Sequence, residues 1–184
     1  MLNTWAVVPT CLPLVLRRCH ACACACERFR ANGKFRVNAN HKLLDAWLLV
    51  LCTACGDTAK LTVLERMNVR SIRPDLLERM HDNDPDLAAE LLQDPVVRRR
   101  NRIALDWDKA WRLDTGGSDH LDREVFDVSV RFAARIPVRP VRLIAEGCRL
   151  SRAEVERLIT EGKLVSAVRL SGKLSGDFTF TLKR

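Results

Sequence analysis

Two short cysteine turns, Cys19-His20-Ala21-Cys22 and Cys52-Thr53-Ala54-Cys55, constrain this chain more than anything else in it. A Cys-x-x-Cys turn aims two thiolates at one point from neighbouring backbone amides. Two such turns, one on each side of residues 23–51, supply the four sulfurs of a tetrahedral structural site. An all-sulfur tetrahedron selects zinc, so Cys19, Cys22, Cys52 and Cys55 are the predicted ligands of one Zn2+. The run Ala21-Cys22-Ala23-Cys24-Ala25-Cys26 places two further thiols beside the first turn, and either Cys24 or Cys26 is an alternative to Cys22. The pair Cys19 and Cys22 is preferred because it alone has the two-residue gap. Adjacent exposed thiols also admit a redox or soft-metal role.

The flanks of the turns are strand-like. Leu14-Val15-Leu16-Arg17-Arg18 leads into the first and Trp47-Leu48-Leu49-Val50-Leu51 into the second, and Leu61-Thr62-Val63-Leu64 leads out of it. Strand, knuckle, strand, strand, knuckle, strand is the layout of a zinc ribbon, which predicts an antiparallel β domain over residues 1–70. Phe29–Val37 reads as two short strands about an Asn32-Gly33 turn. Arg28, Arg30, Lys34 and Arg36 alternate there with Phe29 and Phe35. Such interleaving suits single-stranded nucleic acid, whose phosphates take charge and whose bases take rings, and it equally suits a half-buried hairpin.

Charge is unevenly spread along the 184 residues. The net formal charge is +8, yet residues 1–55 hold 7 Lys/Arg against 2 Asp/Glu, residues 56–138 hold 14 against 16, and residues 139–184 hold 10 against 5. Two basic ends around a near-neutral middle point to two places where phosphates dock. Hydrophobic residues at 47% and charged ones at 29% describe a folded chain. The opening Met1–Pro9 has no basic lead and is followed by Arg17-Arg18, unlike an export signal, and no apolar run reaches the length of a membrane span. Eight cysteines then fit a reducing cytoplasm with thiolates held by metal. His20, His41, His81 and His120 are scattered, no glycine loop cradles phosphate, and no nucleophile is spaced from a base, so the chain is read as non-enzymatic.

Beyond residue 70 the period becomes helical. Pro74-Asp75 and Pro85-Asp86 each open a helix with proline and an acid in the first turn, and Pro95 opens a third that carries Arg98-Arg99-Arg100. These helices form a predicted connector over 71–113. Asp114–Ser118 is the predicted boundary, and Phe126, Val128, Val130 and Phe132 alternate as a strand after it. A third domain, 119–184, then holds a short helix from Pro140 to Gly147 and a second that begins in a capping box, Ser151-Arg152-Ala153-Glu154. Gly162 closes that helix, and Lys163–Val165 and Asp177–Leu182 read as strands. The predicted class is α+β.

The stretch Leu150-Ser151-Arg152-Ala153-Glu154-Val155-Glu156-Arg157-Leu158-Ile159-Thr160-Glu161-Gly162-Lys163 resembles the helix-turn-helix core of the small RNA-binding domain found in a small-subunit ribosomal protein, the S-four type. The likeness covers about residues 139–184. It implies phosphate contacts from Arg152, Arg157 and Lys163, with help from Arg142 and Arg149. One departure is Ser166–Gly172, which stands where that domain has an Asn-Gly turn. Taken whole, the chain is similar to a bacterial family of unknown function, the one numbered 1062. Trp5–Pro9, the two knuckles, Phe35–Asn40, Leu44–Leu49 and Leu64-Glu65-Arg66 carry that similarity, and Cys24-Ala25-Cys26 looks like an insertion within it. The expected function is zinc-stabilised binding of structured or ribosomal RNA. The alternatives are a zinc-ribbon module for protein interaction or transcription, and a thiol redox or metal sensor.

Overall fold

In the computed structural model, which describes residues 2–22, 26–117 and 124–183, the opening strand stops at Pro9 and its sheet is not rejoined until Trp111. Proline has no N–H to give a ladder, and Pro9 and Pro13 bracket the exit. The strands are β1 (Leu2–Pro9), β2 (Leu14–Leu16), β3 (Arg28–Asn40), β4 (Leu43–Cys52), β5 (Thr58–Asn68), β6 (Ala104–Asp106), β7 (Trp111–Asp114), β8 (Val125–Phe132), β9 (Leu164–Ser166) and β10 (Phe178–Lys183). The helices are α1 (Pro74–His81), α2 (Pro85–Gln93), α3 (Pro95–Asn101), α4 (Pro140–Cys148) and α5 (Arg152–Thr160). The fold is mixed α+β and mostly strand. No helix among the described residues is long and apolar enough to cross a membrane.

Contacts gather the chain into two units: the residues up to Cys11 with those from Ala110 onward, and Leu12–Lys109. This division differs from the boundaries read from composition at 70, 113 and 119. β1 pairs with β7 and β8, so the first strand belongs with the tail. The helices of 71–113 belong with the strands before them, since α1 and α2 pack on β3 and α3 on β5.

Unit 2, Leu12–Lys109, is an antiparallel sheet in the order β5-β4-β3-β2-β6. Its core takes Val15, Phe29, Leu48, Val50 and Leu61 from the strands and Met80, Leu87 and Leu92 from the helices. Each such side chain, when fully buried, contributes roughly 1.5–3 kcal/mol relative to exposure. The edge strand β5 is covered from α3. Asn101 accepts from the N–H of Thr62 at 2.7 Å and donates to its carbonyl at 2.9 Å, so a side-chain amide completes the ladder as another strand would. The expected hairpin over 29–37 is not formed. β3 runs on without turning, and residues 32–34 form a bulge between the pairs Ala31↔Val50 and Phe35↔Leu48. Gly33 at φ +73° and the bond from Lys34 N–H to Asn32 Oδ1 make the local turn, and the strand absorbs it because Ala31 and Phe35 both reach the core. Both phenylalanines of that stretch therefore serve packing: Phe29 is buried and Phe35 lies against the core.

Unit 1 is a mixed sheet in the order β7-β1-β8-β10-β9, with β1 and β8 parallel and the other pairs antiparallel. Trp5 and Val7 on β1, Phe126, Val128, Ser129 and Val130 on β8, Leu164 on β9, and Phe178, Phe180 and Leu182 on β10 are its buried strand residues. Gly147 lies near the end of α4, as read from the sequence. The helix stops in the left-handed turn of Arg149 at φ +56°, and Gly147 lies within it under the Trp5 indole, where a Cβ would come to 2.4 Å from the ring. The capping box of α5 is present in both bonds, Glu154 N–H to Ser151 Oγ at 3.1 Å and Ser151 N–H to Glu154 Oε2 at 2.8 Å. Gly162, at φ +68°, follows the end of α5.

Candidate metal centre and basic cleft

The first cysteine turn joins β2 to β3 and the second joins β4 to β5. Leu16 pairs with Arg28 and Phe29 with Cys52, so the registers bring both turns to one end of the sheet of unit 2. Backbone bonds close each loop: Cys19 N–H to the Cys26 carbonyl at 2.9 Å, Cys52 N–H to that of Asp57 at 2.8 Å, and Gly56 N–H to that of Cys52 at 3.0 Å. Gly56 sits at φ +75°, a conformation that favours glycine. Thr53 N–H reaches the Arg28 carbonyl at 3.0 Å and ties the second turn to β3.

The four sulfurs of Cys19, Cys22, Cys52 and Cys55 lie within 4.8 Å of one another. Cys19 Sγ is 3.8 Å from Cys55 Sγ, and Cys22 Sγ is 3.5 Å from Cys52 Sγ. A tetrahedron with metal–sulfur bonds of about 2.3 Å has sulfur–sulfur edges of about 3.8 Å, so the quartet fits a four-coordinate ion. The N–H groups point the same way. Burial pushes the Cys19 thiol up, but the backbone N–H groups of Ala21 and Cys22 and the adjoining Cys52 and Cys22 sulfurs more than offset it, and its pKa falls below the ordinary thiol value. At Cys52 the N–H of Cys55 leads, the N–H of Ala54 adds to it, and the thiol is lowered against burial. Cys55 moves the other way: the Asp57 N–H pulls it down, yet burial and the Cys52 and Cys19 sulfurs hold it up. The first cysteine of each turn thus accepts from the amides of the third and fourth residues of that turn, the arrangement that stabilises a metal-bound thiolate. These four cysteines can hold a metal ion.

Cys26 is the neighbour outside the quartet. Its sulfur is 3.6 Å from Thr53 Oγ1 and 3.6 Å from the Arg28 carbonyl oxygen. Cys24 lies outside the described residues.

In unit 1 the five basic residues singled out in the sequence separate. Arg142 and Arg152 line a cleft of about 760 Å3 between α4, α5 and the segment 169–172. Arg157 is 3.8 Å from Glu161, Lys163 is 3.0 Å from the same carboxylate, and Arg149 forms the end of α4. Glu161 is held below the usual carboxylate range, chiefly by its bond from Lys163. The cleft has two further arginines that spacing did not mark, Arg139 just before α4 and Arg169 in the segment after β9. No signal in the linear sequence joins residues 139 and 169; only the fold does. Glu156 is the single carboxylate of the lining, and Val141, Ile159 and Leu170 give it an apolar wall. The Arg142 guanidinium stands 5.3 Å from the centroid of the Trp111 ring, which fixes its direction.

Fold and site together define a two-unit α+β protein with a cluster of four cysteines that could hold a metal ion in one unit and an arginine-lined cleft in the other. The chain belongs to the family described as protein of unknown function (DUF1062), whose model matches residues 37–170. The match begins within β3 and ends at residue 170, so it takes in the second cysteine turn and the cleft lining other than Ser171 and Gly172, but not the first turn. No curated protein and no solved structure matches the chain.

Proposed function

We propose that this is a zinc-stabilised RNA-binding protein without catalytic activity, in which the sulfur quartet holds unit 2 together and the cleft of unit 1 takes RNA phosphates. The observation that carries the RNA reading is the cleft itself: Arg139, Arg142, Arg152 and Arg169 face one cavity that contains a single carboxylate. Among the described residues Arg139, Arg152 and Arg169 have no acidic partner. A guanidinium fork matches two phosphate oxygens at once, and the apolar wall lowers the local dielectric around such pairs. The order helix, Ser151-Arg152 helix start, Gly162-Lys163 and strand supports the S-four-type likeness, and structured RNA such as ribosomal RNA is the substrate class it favours.

Zinc is the ion that suits four thiolates, and the zinc-ribbon reading follows from two knuckles that each join neighbouring strands. With four protein ligands no position on the ion stays open for water, which assigns the metal to structure.

The test is a salt titration of binding to a structured RNA. Replacing Arg152 and Arg169 by Glu removes two phosphate contacts and should make the slope of log K against log salt shallower by about 1.4–1.8. Equal slopes for wild type and the double variant would sink the reading.

A further inference from the structure

β4 is apolar on both of its faces. Its inward row, Leu44, Ala46, Leu48, Val50 and Cys52, fills the core of unit 2 together with α1 and α2. Its outward row, Leu43, Asp45, Trp47, Leu49 and Leu51, is only half-buried. An antiparallel sheet with one face on a core normally turns polar side chains outward. Four apolar residues on the outward row therefore mark a contact surface.

The strand registers set cations around this row. Arg30 pairs with Leu51 and Arg36 with Trp47 on β3, and Lys60 pairs with Leu49 on β5. All three cations are exposed, and among the described residues none has an acidic partner. Two carboxylates near this row are engaged: Asp45 accepts the Arg66 N–H at 2.7 Å, and Asp106 stands 3.9 Å from Arg28. The surface therefore offers an apolar strip with one large ring, edged by unpaired positive charge. An acidic peptide would supply the charge without flat rings, and a duplex hides its rings in the stack. A single strand presents both, in alternation.

Lys60 Nζ rests 5.0 Å from the centroid of the Trp47 ring. Such a contact on a half-buried ring favours its closed state by roughly 2- to 30-fold, whereas stacking of a base is worth roughly 5- to 150-fold by alanine substitution. A base can therefore displace the ammonium, which swings outward to a phosphate. We infer that this outward face of unit 2 binds a single-stranded nucleic-acid segment, with a base stacked on Trp47 and phosphates at Arg30, Arg36 and Lys60. The inference rests on the RNA reading above and gives it a second contact of different chemistry: the cleft takes phosphates, the sheet face takes bases.

The experiment uses the full chain loaded with zinc and fluorescein-labelled 12-nucleotide oligouridine, alongside a duplex of equal length, read by fluorescence anisotropy. Trp47→Ala should weaken single-strand binding at least about 5-fold and leave duplex binding unchanged. Trp47→Phe, which keeps a ring and the packing, should stay within about 3-fold of wild type. Arg36→Glu with Lys60→Glu, which leaves the apolar row intact, should weaken the single strand and flatten its salt dependence. The Trp47→Ala loss should be the same in the background of Arg152→Glu and Arg169→Glu. If both the Trp47→Ala and the Arg36→Glu/Lys60→Glu chains bind oligouridine like wild type, the sheet-face assignment is wrong, and a loss confined to the Arg152→Glu/Arg169→Glu chain would leave the cleft reading standing. Equal losses for duplex and single strand also overturn it. No binding of either oligonucleotide by the wild-type chain overturns both readings together.

Discussion

Cys22 and Cys26 are half-buried thiols of one loop, and their surroundings divide their roles. Cys22 faces Cys52 across 3.5 Å inside the sulfur quartet, whereas Cys26 faces a hydroxyl and a carbonyl. Serine keeps the hydrogen bonds of Cys26 but is a poor ligand for a soft metal. On the proposed zinc site, Cys26→Ser should therefore change stability by no more than about 0.5 kcal/mol, and Cys22→Ser, which would cost the metal, by about 3 kcal/mol or more. Metal content per chain and the urea midpoint measured on both variants decide this. Retained metal in Cys22→Ser, or its loss in Cys26→Ser, would reassign the ligand. At this scale the linear chain was legible where chemistry is local. A two-residue gap between cysteines states which sulfurs can share an ion, and the four so chosen do converge. The reason for a glycine at 147 was not legible, because the Trp5 ring that lies against it stands far away in sequence and meets it only in the fold.

Elements were readable where they carry their own boundaries. Pro74, Pro85 and Pro95 each start a helix, and Ser151 with Glu154 starts α5. Asp84 and Asp94 cap α2 and α3 through their side chains, as short acids before a proline do. Asn32-Gly33 misled because the two residues satisfy a hairpin and a bulge alike, and only the partner strand β4 decides between them. A different device fastens β8 to β10: Asp177 takes Arg131 at 2.8 Å and the Phe132 N–H at 2.9 Å. The Arg131 bond, then the Phe132 N–H, hold its carboxyl below the usual range despite some burial. A carboxyl lowered in the folded state stabilises above its unfolded value, near 4, and loses that contribution as pH falls through the folded one. Asp177→Asn should thus melt below wild type at pH 7 by an amount worth less than about 1 kcal/mol, since both partners are half-exposed. The gap should hold down to about pH 5 and close below about pH 4. A gap that persists unchanged in acid would show that the bond to Phe132, and not the charge, sets the effect.

The order of the whole molecule is that of one unit inserted into another. β1 leaves its sheet after Pro9, the chain builds all of unit 2, and β7 returns as the antiparallel neighbour of β1. Pro9 pairs with Trp111, and Thr10 N–H bonds the Ala110 carbonyl at 3.0 Å, so the two ends of the insertion are already adjacent. This nesting was hidden in the sequence because composition changes at the helices, near 71, and at the glycines, near 116, while contacts change at residues 11 and 110. Hydrophobic period reports which residues are inside; it does not report which inside they share. If unit 1 folds on its own buried residues, its stability owes nothing to the sulfurs of unit 2. Joining Cys11 to Ala110 through two glycines in place of Leu12–Lys109 should then yield a chain that melts cooperatively and keeps native circular dichroism for a mixed sheet with two helices. Its melting temperature should be the same with and without a metal chelator, whereas the full chain should lose its unit 2 transition when chelated. A joined chain that fails to melt cooperatively would mean that β1 and β7 need unit 2 to hold their register.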